Sequence, residues 1–375
     1  MAEQIVSPDL SFVKEVMASG GGDLKKCYQC STCTVVCNVT PDQKPFPRKE
    51  MLYAQWGLKD KLVTNPDIWL CHHCSDCTAY CPRGAKPGEV LGAIRKVMIK
   101  EYATPGFLGT MAGDPKFLLI LFAIPAALFF VIIAALGHLN FAAVPRTAEG
   151  AISFSHFLPV PAVDAVFIPT AAFAALMLFL GVNKYWAALK QSNPGDIPKN
   201  DLLSSMYQAL LDIASHKRFS DCTVARGRKS SHFAVFYAFV GLAITTTWGV
   251  AYLYLLKWES PYPLTDPMKI VGNISAIALI AGIIAVASNR LDMQKQAGKG
   301  SYFDWLFISV ILGVGVTGFG AQLLRLADVA ALAYLTYYTH LVFVFFLFAY
   351  APYSKMAHMV YRTAAMVYAK HVGRE

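Results

Sequence analysis

The chain has 375 residues, of which 55% are hydrophobic and 15% are charged, and its formal net charge is +9. Apolar runs near 20 residues long recur between positions 116 and 352, which excludes a water-soluble globule and indicates a membrane protein with a polar head. The positive charge does not indicate nucleic-acid binding, because the basic residues follow the loops between the apolar runs. The start of the chain lacks the basic and apolar segments of an export signal, so we expect the head to stay in the cytoplasm.

Eight of the nine cysteines form two groups of identical spacing in the head. In two-cluster ferredoxins the fourth cysteine of each such group serves the other cluster, and thiols clustered in a reducing compartment favour metal over disulfides. We therefore predict two [4Fe–4S] clusters: cluster 1 is held by Cys27, Cys30, Cys33 and Cys81, and cluster 2 by Cys37, Cys71, Cys74 and Cys77. A pair of zinc sites is the alternative, but zinc does not require a four-cysteine run made twice.

The two groups begin 44 residues apart, at Cys27 and Cys71, and a proline followed by a helical pattern comes after each. Pro47 opens a predicted helix that ends near Trp56-Gly57, and Pro87 opens one that runs to Tyr102. Residues 1–105 are therefore predicted to form a duplicated, mainly α-helical ferredoxin domain.

Two histidines and one cysteine of the polar segments lie outside the predicted ligand sets. His72 and His73 lie between cysteines of the second group, where they could tune a cluster potential by hydrogen bonding, but we expect them to face solvent. Cys222 stands apart from both groups, and we expect it to be a plain thiol.

Residues 106–375 are predicted to form a membrane domain, so that the whole chain is all-α. Six apolar segments are each long enough to cross a ~30 Å hydrocarbon layer as a helix. They lie near residues 116–137, 161–183, 232–256, 270–288, 304–324 and 332–352. The second is the weakest, because it contains Pro161, Asp164 and Pro169, and an interfacial helix is the alternative there. Between the second and third spans, apolar residues at helical spacing predict an amphipathic helix at 201–216, either on the membrane surface or packed in the loop.

The basic residues predict the orientation in the cytoplasmic membrane. Fifteen lie in the loops and tail on one side: Lys184, Lys190, Lys199, Lys217, Arg218, Arg226, Arg228, Lys229, Arg290, Lys295, Lys299, Lys355, Arg362, Lys370 and Arg374. Four lie on the other: Arg146, Lys257, Lys269 and Arg325. This asymmetry predicts that both termini and the cysteine head face the cytoplasm.

An ionisable residue inside a span is costly, which makes it a functional candidate. His340 lies in the sixth span, and His358 follows 18 residues later, five turns on if the helix continues. His232 begins the third span at the predicted level of His358. We predict that His232 and His358 bind a haem b near the cytoplasm and that His340 binds a second haem b. The alternative is a packed core histidine and a surface one.

Other candidates are weaker. His216 could replace His232 as a ligand or line a quinone pocket, and His156 is a candidate haem or quinone residue on the outer side. The run Gly313-x-Gly315-x-x-Gly318 matches a dinucleotide fingerprint, but no strand precedes it, so we interpret it as close helix or haem packing.

Together the two halves resemble a known family. The head, with its two cysteine groups, is similar to the iron–sulfur subunit of heterodisulfide reductases. The membrane half is similar to the membrane subunit of those enzymes and to the haem-b subunit of nitrate reductases. DIASHKRFSDC followed by SHFAVFYAFVGL carries this second likeness. The fusion of the two halves in one chain resembles a membrane subunit of the quinone-interacting membrane-bound oxidoreductases of sulfate reducers.

That resemblance implies an electron-transfer subunit of a respiratory complex. Menaquinol would be oxidised at the membrane half, with haem b, the two clusters and soluble flavin and iron–sulfur subunits leading to adenylylsulfate reductase. Two alternatives remain: a membrane arm of a heterodisulfide- or sulfite-reductase-type complex, and a haem-free membrane anchor for an iron–sulfur enzyme.

Overall fold

The computed structural model describes residues 7–139, 145–224, 227–294, 298 and 300–374. Within these ranges helices dominate, and the only pairing of extended backbone is one isolated bridge between Arg146 and Ile152. The all-α prediction is therefore confirmed. Arg226, Lys295 and Lys299, which contribute to the predicted orientation, lie outside the described residues.

Short helices build the head around its two cysteine groups. They are Leu10–Val16, Thr32–Val35, Arg48–Gln55, Lys59–Val63, Asp67–Leu70, Asp76–Ala79 and Pro87–Tyr102. Pro47 precedes the third of these and Pro87 occupies the first turn of the last, as the sequence predicts. Gly57 has φ +67°, and a Cβ there would lie 2.6 Å from the carbonyl oxygen of Asp9, so this turn requires glycine.

The two cysteine loops share one backbone conformation. Gln29 and Ser31 have φ values of 60° and 71°, and His73 and Ser75, each 44 positions later, have values of 52° and 72°. A one-turn helix follows each pair. Left-handed φ is uncommon outside glycine, so its recurrence at matched positions confirms the duplication within the head.

Six helices of the described ranges are long and apolar enough to cross a membrane. Numbered as spans 1 to 6, they are Pro115–Ala135, Val160–Ser192, Arg228–Tyr254, Pro267–Asp292, Tyr302–Leu326 and Ala330–Ala349. Span 2 is one continuous helix despite Pro169, which disfavours the interfacial alternative. It extends beyond the predicted end because Tyr185 and Leu189 are buried in the core of the head.

Spans 3 to 6 pack in sequence, each against the next, and span 6 also contacts spans 1 and 2. Glycines bring neighbours close along this row. A Cβ at Gly282 of span 4 would lie 3.0 Å from the Val235 side chain of span 3, and one at Gly241 would lie 2.1 Å from Ser275 Oγ.

The prediction that span 6 continues through His358 is wrong. The helix ends at Ala349, two 3₁₀ turns follow at Ala351–Tyr353 and Lys355–Ala357, and a separate C-terminal helix covers His358–His371. Pro352 accounts for the break, because proline has no N–H to donate to the preceding turn. The five-turn spacing between His340 and His358 therefore has no basis in the fold.

The C-terminal helix joins the membrane half to the head. Tyr361 lies 5.5 Å from the ring of Trp69 and 5.8 Å from that of Tyr185, measured between ring centroids. All three are buried in one hydrophobic core with Tyr102. The core of the head thus extends into the membrane half, and the division at residue 105 stays a prediction.

The predicted amphipathic segment forms the helix Leu202–Ser215. Its small residues Ser205 and Ala209 are buried, and the helix packs on the C-terminal helix. Its apolar residues Leu203 and Tyr207 are 70% and 65% exposed. The helix therefore exposes apolar side chains and buries small ones, as a helix that lies on a lipid surface requires.

Candidate iron–sulfur and haem centre

The cysteine thiols fall into two mixed groups. Burial raises the pKa of Cys33 to about 11, and the neighbouring sulfurs of Cys27 and Cys81 add to the shift. Burial also raises the pKa of Cys37 to about 12, and here the neighbouring sulfurs are Cys71 and Cys74. The last cysteine of each run is therefore near the other run, which is the arrangement that crossed ligation requires.

Hydrogen-bond donors already surround the sulfurs. The backbone N–H of His73 donates to Cys71 Sγ at 3.3 Å, and that of Ala85 donates to Cys81 Sγ at 3.4 Å. Gln29 Nε2 donates to Cys27 Sγ at the same distance of 3.4 Å. Donors of this kind stabilise the more negative, reduced form of a cluster and help set its potential.

The two groups differ in their access to solvent. Cys30 is exposed, and Tyr28, Val35 and Tyr80, which lie close in sequence to cysteines of the two groups, are 68%, 81% and 56% exposed. Cys71 and Cys77 of the second group are buried. The cluster 1 site therefore opens outward, whereas the cluster 2 site is covered.

His72 and His73 are buried, so the expectation that they face solvent is wrong. Arg362 donates to His72 Nε2 at 2.7 Å, and His73 Nε2 lies 3.1 Å from Glu89 Oε1. Burial lowers the pKa of His73 to about 4, so the ring is neutral and donates its Nε2–H to Glu89. The physical reason is the position of the second loop, which faces the membrane half.

Three arginines from different helices converge on the backbone of this second loop. Arg228, which begins span 3, donates to the carbonyl oxygens of His72 (2.9 Å) and His73. Arg362 of the C-terminal helix donates to the Cys71 carbonyl at 2.9 Å, and Arg95 donates to the same oxygen. Four thiolates give a bound cluster negative charge, which these guanidinium groups offset. The sequence reasoning missed this role, although each membrane-half arginine lies one turn from a predicted haem ligand.

His232 follows Arg228 by four residues, on the same face of span 3. His216 Nδ1 lies 3.2 Å from the carbonyl of Ala214, to which it donates, and His216 Nε2 therefore accepts from His232 Nδ1 at 2.9 Å. These two hydrogen bonds fix the tautomer of His232 and leave its Nε2 unprotonated. His216 thus lies behind His232 and orients it, and its role as an alternative haem ligand or quinone residue stays a prediction.

His358 precedes Arg362 by four residues, one turn along the C-terminal helix. Its Nδ1 donates to the carbonyl oxygen of Lys355 at 2.5 Å. Burial lowers the pKa of His358 to about 3, so the imidazole is neutral. Its Nε2 therefore also carries a lone pair.

His340 lies where spans 5 and 6 meet. Thr317 donates its hydroxyl proton to the Gly313 carbonyl at 2.5 Å, so its oxygen accepts from His340 Nδ1 at 3.2 Å. A Cβ at Gly318 would lie 2.7 Å from His340 Cε1, and one at Gly313 would lie 2.6 Å from the Phe343 ring. These glycines therefore allow close approach, as interpreted from the sequence.

His232, His340 and His358 share a pattern that suits haem ligation. Each donates its Nδ1–H to an acceptor in the protein: His216, Thr317 and the Lys355 carbonyl, respectively for His232, His340 and His358. Histidines that bind metals are held in this way, with the second nitrogen fixed by a hydrogen bond. The donor set therefore fits haem b at both predicted positions.

His156 lies apart from these three residues. It is exposed in the short helix Phe154–Phe157, and its Nδ1 lies 3.3 Å from the carbonyl of Arg146. This placement gives its predicted haem or quinone role no support, and that role stays a prediction.

Two protein families match separate parts of the chain. Residues 113–375 match the family described as citrate utilization protein B, and residues 23–85 match the 4Fe-4S dicluster domain family. The head is therefore an iron–sulfur domain, as the cysteine spacing predicts. No solved structure matches the chain.

Curated relatives of the head belong to heterodisulfide reductases. The chain is 35% identical over 103 residues to a subunit of the H(2):CoB-CoM heterodisulfide,ferredoxin reductase of Methanothermobacter marburgensis, covering 27% of this chain and 52% of the relative. It is 33% identical over 78 residues to a CoB--CoM heterodisulfide reductase iron-sulfur subunit of Methanopyrus kandleri, covering 21% of this chain and 41% of that one.

The chain spans about half the length of the curated relatives it matches. The predicted resemblance of the head to the iron–sulfur subunit of heterodisulfide reductases is confirmed. The relation of the membrane half to a haem-b subunit, and of the whole to the quinone-interacting oxidoreductases, stays a prediction.

Proposed function

The chain belongs to the citrate utilization protein B family, and we propose that it is a membrane electron-transfer subunit that links the menaquinone pool to soluble redox subunits. In this proposal His232 and His358 hold one haem b, His340 holds a second, and the eight grouped cysteines hold two [4Fe–4S] clusters with crossed ligation. When bound, these groups supply one-electron carriers.

One juxtaposition carries the proposal. Arg228 and Arg362 both hold the His72 region of the cluster 2 loop, and each lies one turn from a proposed haem ligand on its own helix. A helix advances about 5.4 Å per turn, so His232 and His358 each lie about one turn along the helix axis from the arginine that contacts that loop. The two helices thus bring the proposed haem ligands beneath cluster 2.

The exposure of the two cluster sites indicates which of them a soluble partner would reach. The cluster 2 loop is covered by the membrane half, whereas cluster 1 opens outward beside Cys30. Lys25, Lys26 and Arg83 are exposed there, and Arg83 lies 4.0 Å above the ring of Tyr28. A soluble partner, a flavin or iron–sulfur protein with an acidic face, would therefore exchange electrons at cluster 1.

The membrane half contains two groups of polar residues at which a quinone could bind. The inner group surrounds His216 and His232, where the aromatic rings of Phe219 and Phe233 lie 5.1 and 5.3 Å from that of His216. In the outer group, polar side chains are already paired within the protein. Asp328 pairs with Arg146 at 2.7 Å, and Tyr338 donates to a carbonyl of span 1. We therefore favour the inner group as the menaquinone site.

The acceptor on the soluble side is proposed to be adenylylsulfate reductase, reached through the partner subunits. The relatives favour a second candidate, in which the chain serves a heterodisulfide- or sulfite-reductase-type complex. The family description favours a third, in which a soluble partner active in citrate utilization delivers electrons in the opposite direction. The subunits that co-purify with the chain distinguish these three.

The composition of the purified full-length chain tests the proposal. We expect about eight non-haem irons per chain, together with haem b. His358→Ala should remove the haem that it holds with His232 and leave the cluster EPR signals, whereas the exposed His156→Ala should change neither. Haem absent from the wild-type chain would instead support a membrane anchor and overturn the proposal.

A further inference from the structure

Cys222 is placed beside the proposed cluster 2. It lies in the loop between the surface helix and span 3, and it is only 6% exposed. Its Sγ, Cys74 Sγ and a carboxylate oxygen of Asp76 lie within 4.8 Å of one another. The sequence predicted a plain thiol, and the structure shows that this thiol lies beside a proposed cluster ligand.

The loop that carries Cys222 is anchored on both sides of the cluster 2 site. Asp76 accepts from the backbone N–H groups of Thr223 and Val224, both at 2.9 Å, and from the Thr223 hydroxyl at 3.2 Å. Asn38, which follows Cys37, donates to the carbonyl of Asp221 at 2.7 Å. These bonds fix the backbone immediately before and after Cys222.

The same bonds decide what the group can do. Three hydrogen bonds occupy the carboxylate of Asp76, so it is a clamp for the loop and not a metal ligand. Once Cys74 is bound to iron it has no proton, so of these two neighbouring sulfurs the thiol of Cys222 is the one that can donate a hydrogen bond.

We propose that Cys222 is a positioning residue that donates an S–H···S hydrogen bond to Cys74 and thereby raises the reduction potential of cluster 2. The inference rests on the proposed function, because it requires Cys74 to hold a cluster. The hydrogen directed at the sulfur stabilises the reduced cluster, which carries one more negative charge. The membrane half would then tune the cluster that it contacts.

Potentiometric EPR of the full-length wild type, Cys222→Ala and Cys222→Ser tests this inference. We expect Cys222→Ala to lower the ratio of reduced to oxidised cluster 2 about tenfold at a given potential, which is 59 mV for a one-electron couple. Cys222→Ser keeps a donor and should retain most of the wild-type ratio. The potential of cluster 1 should be the same in all three proteins and serves as the internal control.

The outcomes separate the inference from the proposed function. An intact cluster 2 with an unchanged potential in Cys222→Ala would overturn the inference alone. A cluster 2 that survives Cys74→Ala but disappears in Cys222→Ala would show that Cys222 is a ligand, which also overturns it. A wild-type chain without a second cluster would overturn the proposed function. If Cys222→Ala does not fold, Cys222→Val removes the donor without leaving a cavity and should lower the ratio by the same factor, so an unchanged potential in that variant would overturn the inference.

Discussion

Replacing Gly318 by alanine should disturb His340 without changing any proposed ligand. The new Cβ would lie 2.7 Å from His340 Cε1 and 3.1 Å from Nδ1. Ordinary contact begins near 3.4 Å, so the ring must retreat by about 0.7 Å, the difference between 3.4 and 2.7. Overpacking of this kind typically costs about 1–3 kcal/mol.

The retreat also disturbs the hydrogen bond between His340 Nδ1 and Thr317, which orients the ring. Loss of such an orienting contact typically lowers metal affinity about 10–100-fold. We therefore expect Gly318→Ala to lose much of one haem, while the haem at His232 and His358 is retained. Haem content, the reduced-minus-oxidised spectrum and low-spin EPR would measure this loss.

Gly320→Ala is the matched control. It lies in the same span, but its Cβ would approach nothing closer than Thr336 Cγ2 at 3.7 Å, an ordinary contact. Equal haem content and equal spectra for Gly318→Ala and Gly320→Ala would refute the reasoning, since they would show that the position of His340 does not matter to a haem.

Three further predictions concern other parts of the chain. Cys37→Ser should abolish the EPR signal of cluster 2 and spare cluster 1, and Cys81→Ser should do the reverse; loss of cluster 1 alone in Cys37→Ser would contradict crossed ligation. His216→Ala should weaken the haem at His232, because the acceptor of His232 Nδ1–H is removed, and an unchanged spectrum and haem affinity would argue against this orienting role. Burial raises the pKa of Glu50 above its ordinary value of 4.5, so the folded chain keeps a proton that the unfolded chain loses, and this group's contribution to stability falls as the pH rises above that value. Glu50→Gln should therefore flatten the fall in melting temperature between about pH 4.5 and pH 7, and equal slopes for both proteins in that range would contradict the prediction.

The sequence predicted the features that depend on local spacing. The 44-residue repeat of cysteines predicted a duplicated head, and prolines at 47 and 87 predicted the helix starts that follow them. Six apolar runs anticipated six long helices, because length and composition alone determine whether a helix can cross a bilayer.

The features that depend on tertiary contacts were not predictable in the same way. The burial of His72 and His73 arises from Arg228 and Arg362, which come from distant parts of the chain. Cys222 lies close to Cys74 although the two are 148 positions apart in the sequence, and no rule of motif spacing relates residues at that separation. The break after span 6 is different, because Pro352 could have signalled it and the regular histidine spacing concealed it.

The central claim is that the membrane histidines connect a quinol to the cysteine head. Its most direct test is to add a menaquinol analogue to the purified complex and to follow haem absorbance and cluster EPR in wild type, His232→Ala and His358→Ala. We expect both signals to become reduced in wild type, whereas each variant should keep intact clusters that the quinol no longer reduces. Clusters that the quinol reduces at the wild-type rate in both haem-depleted variants would contradict the account.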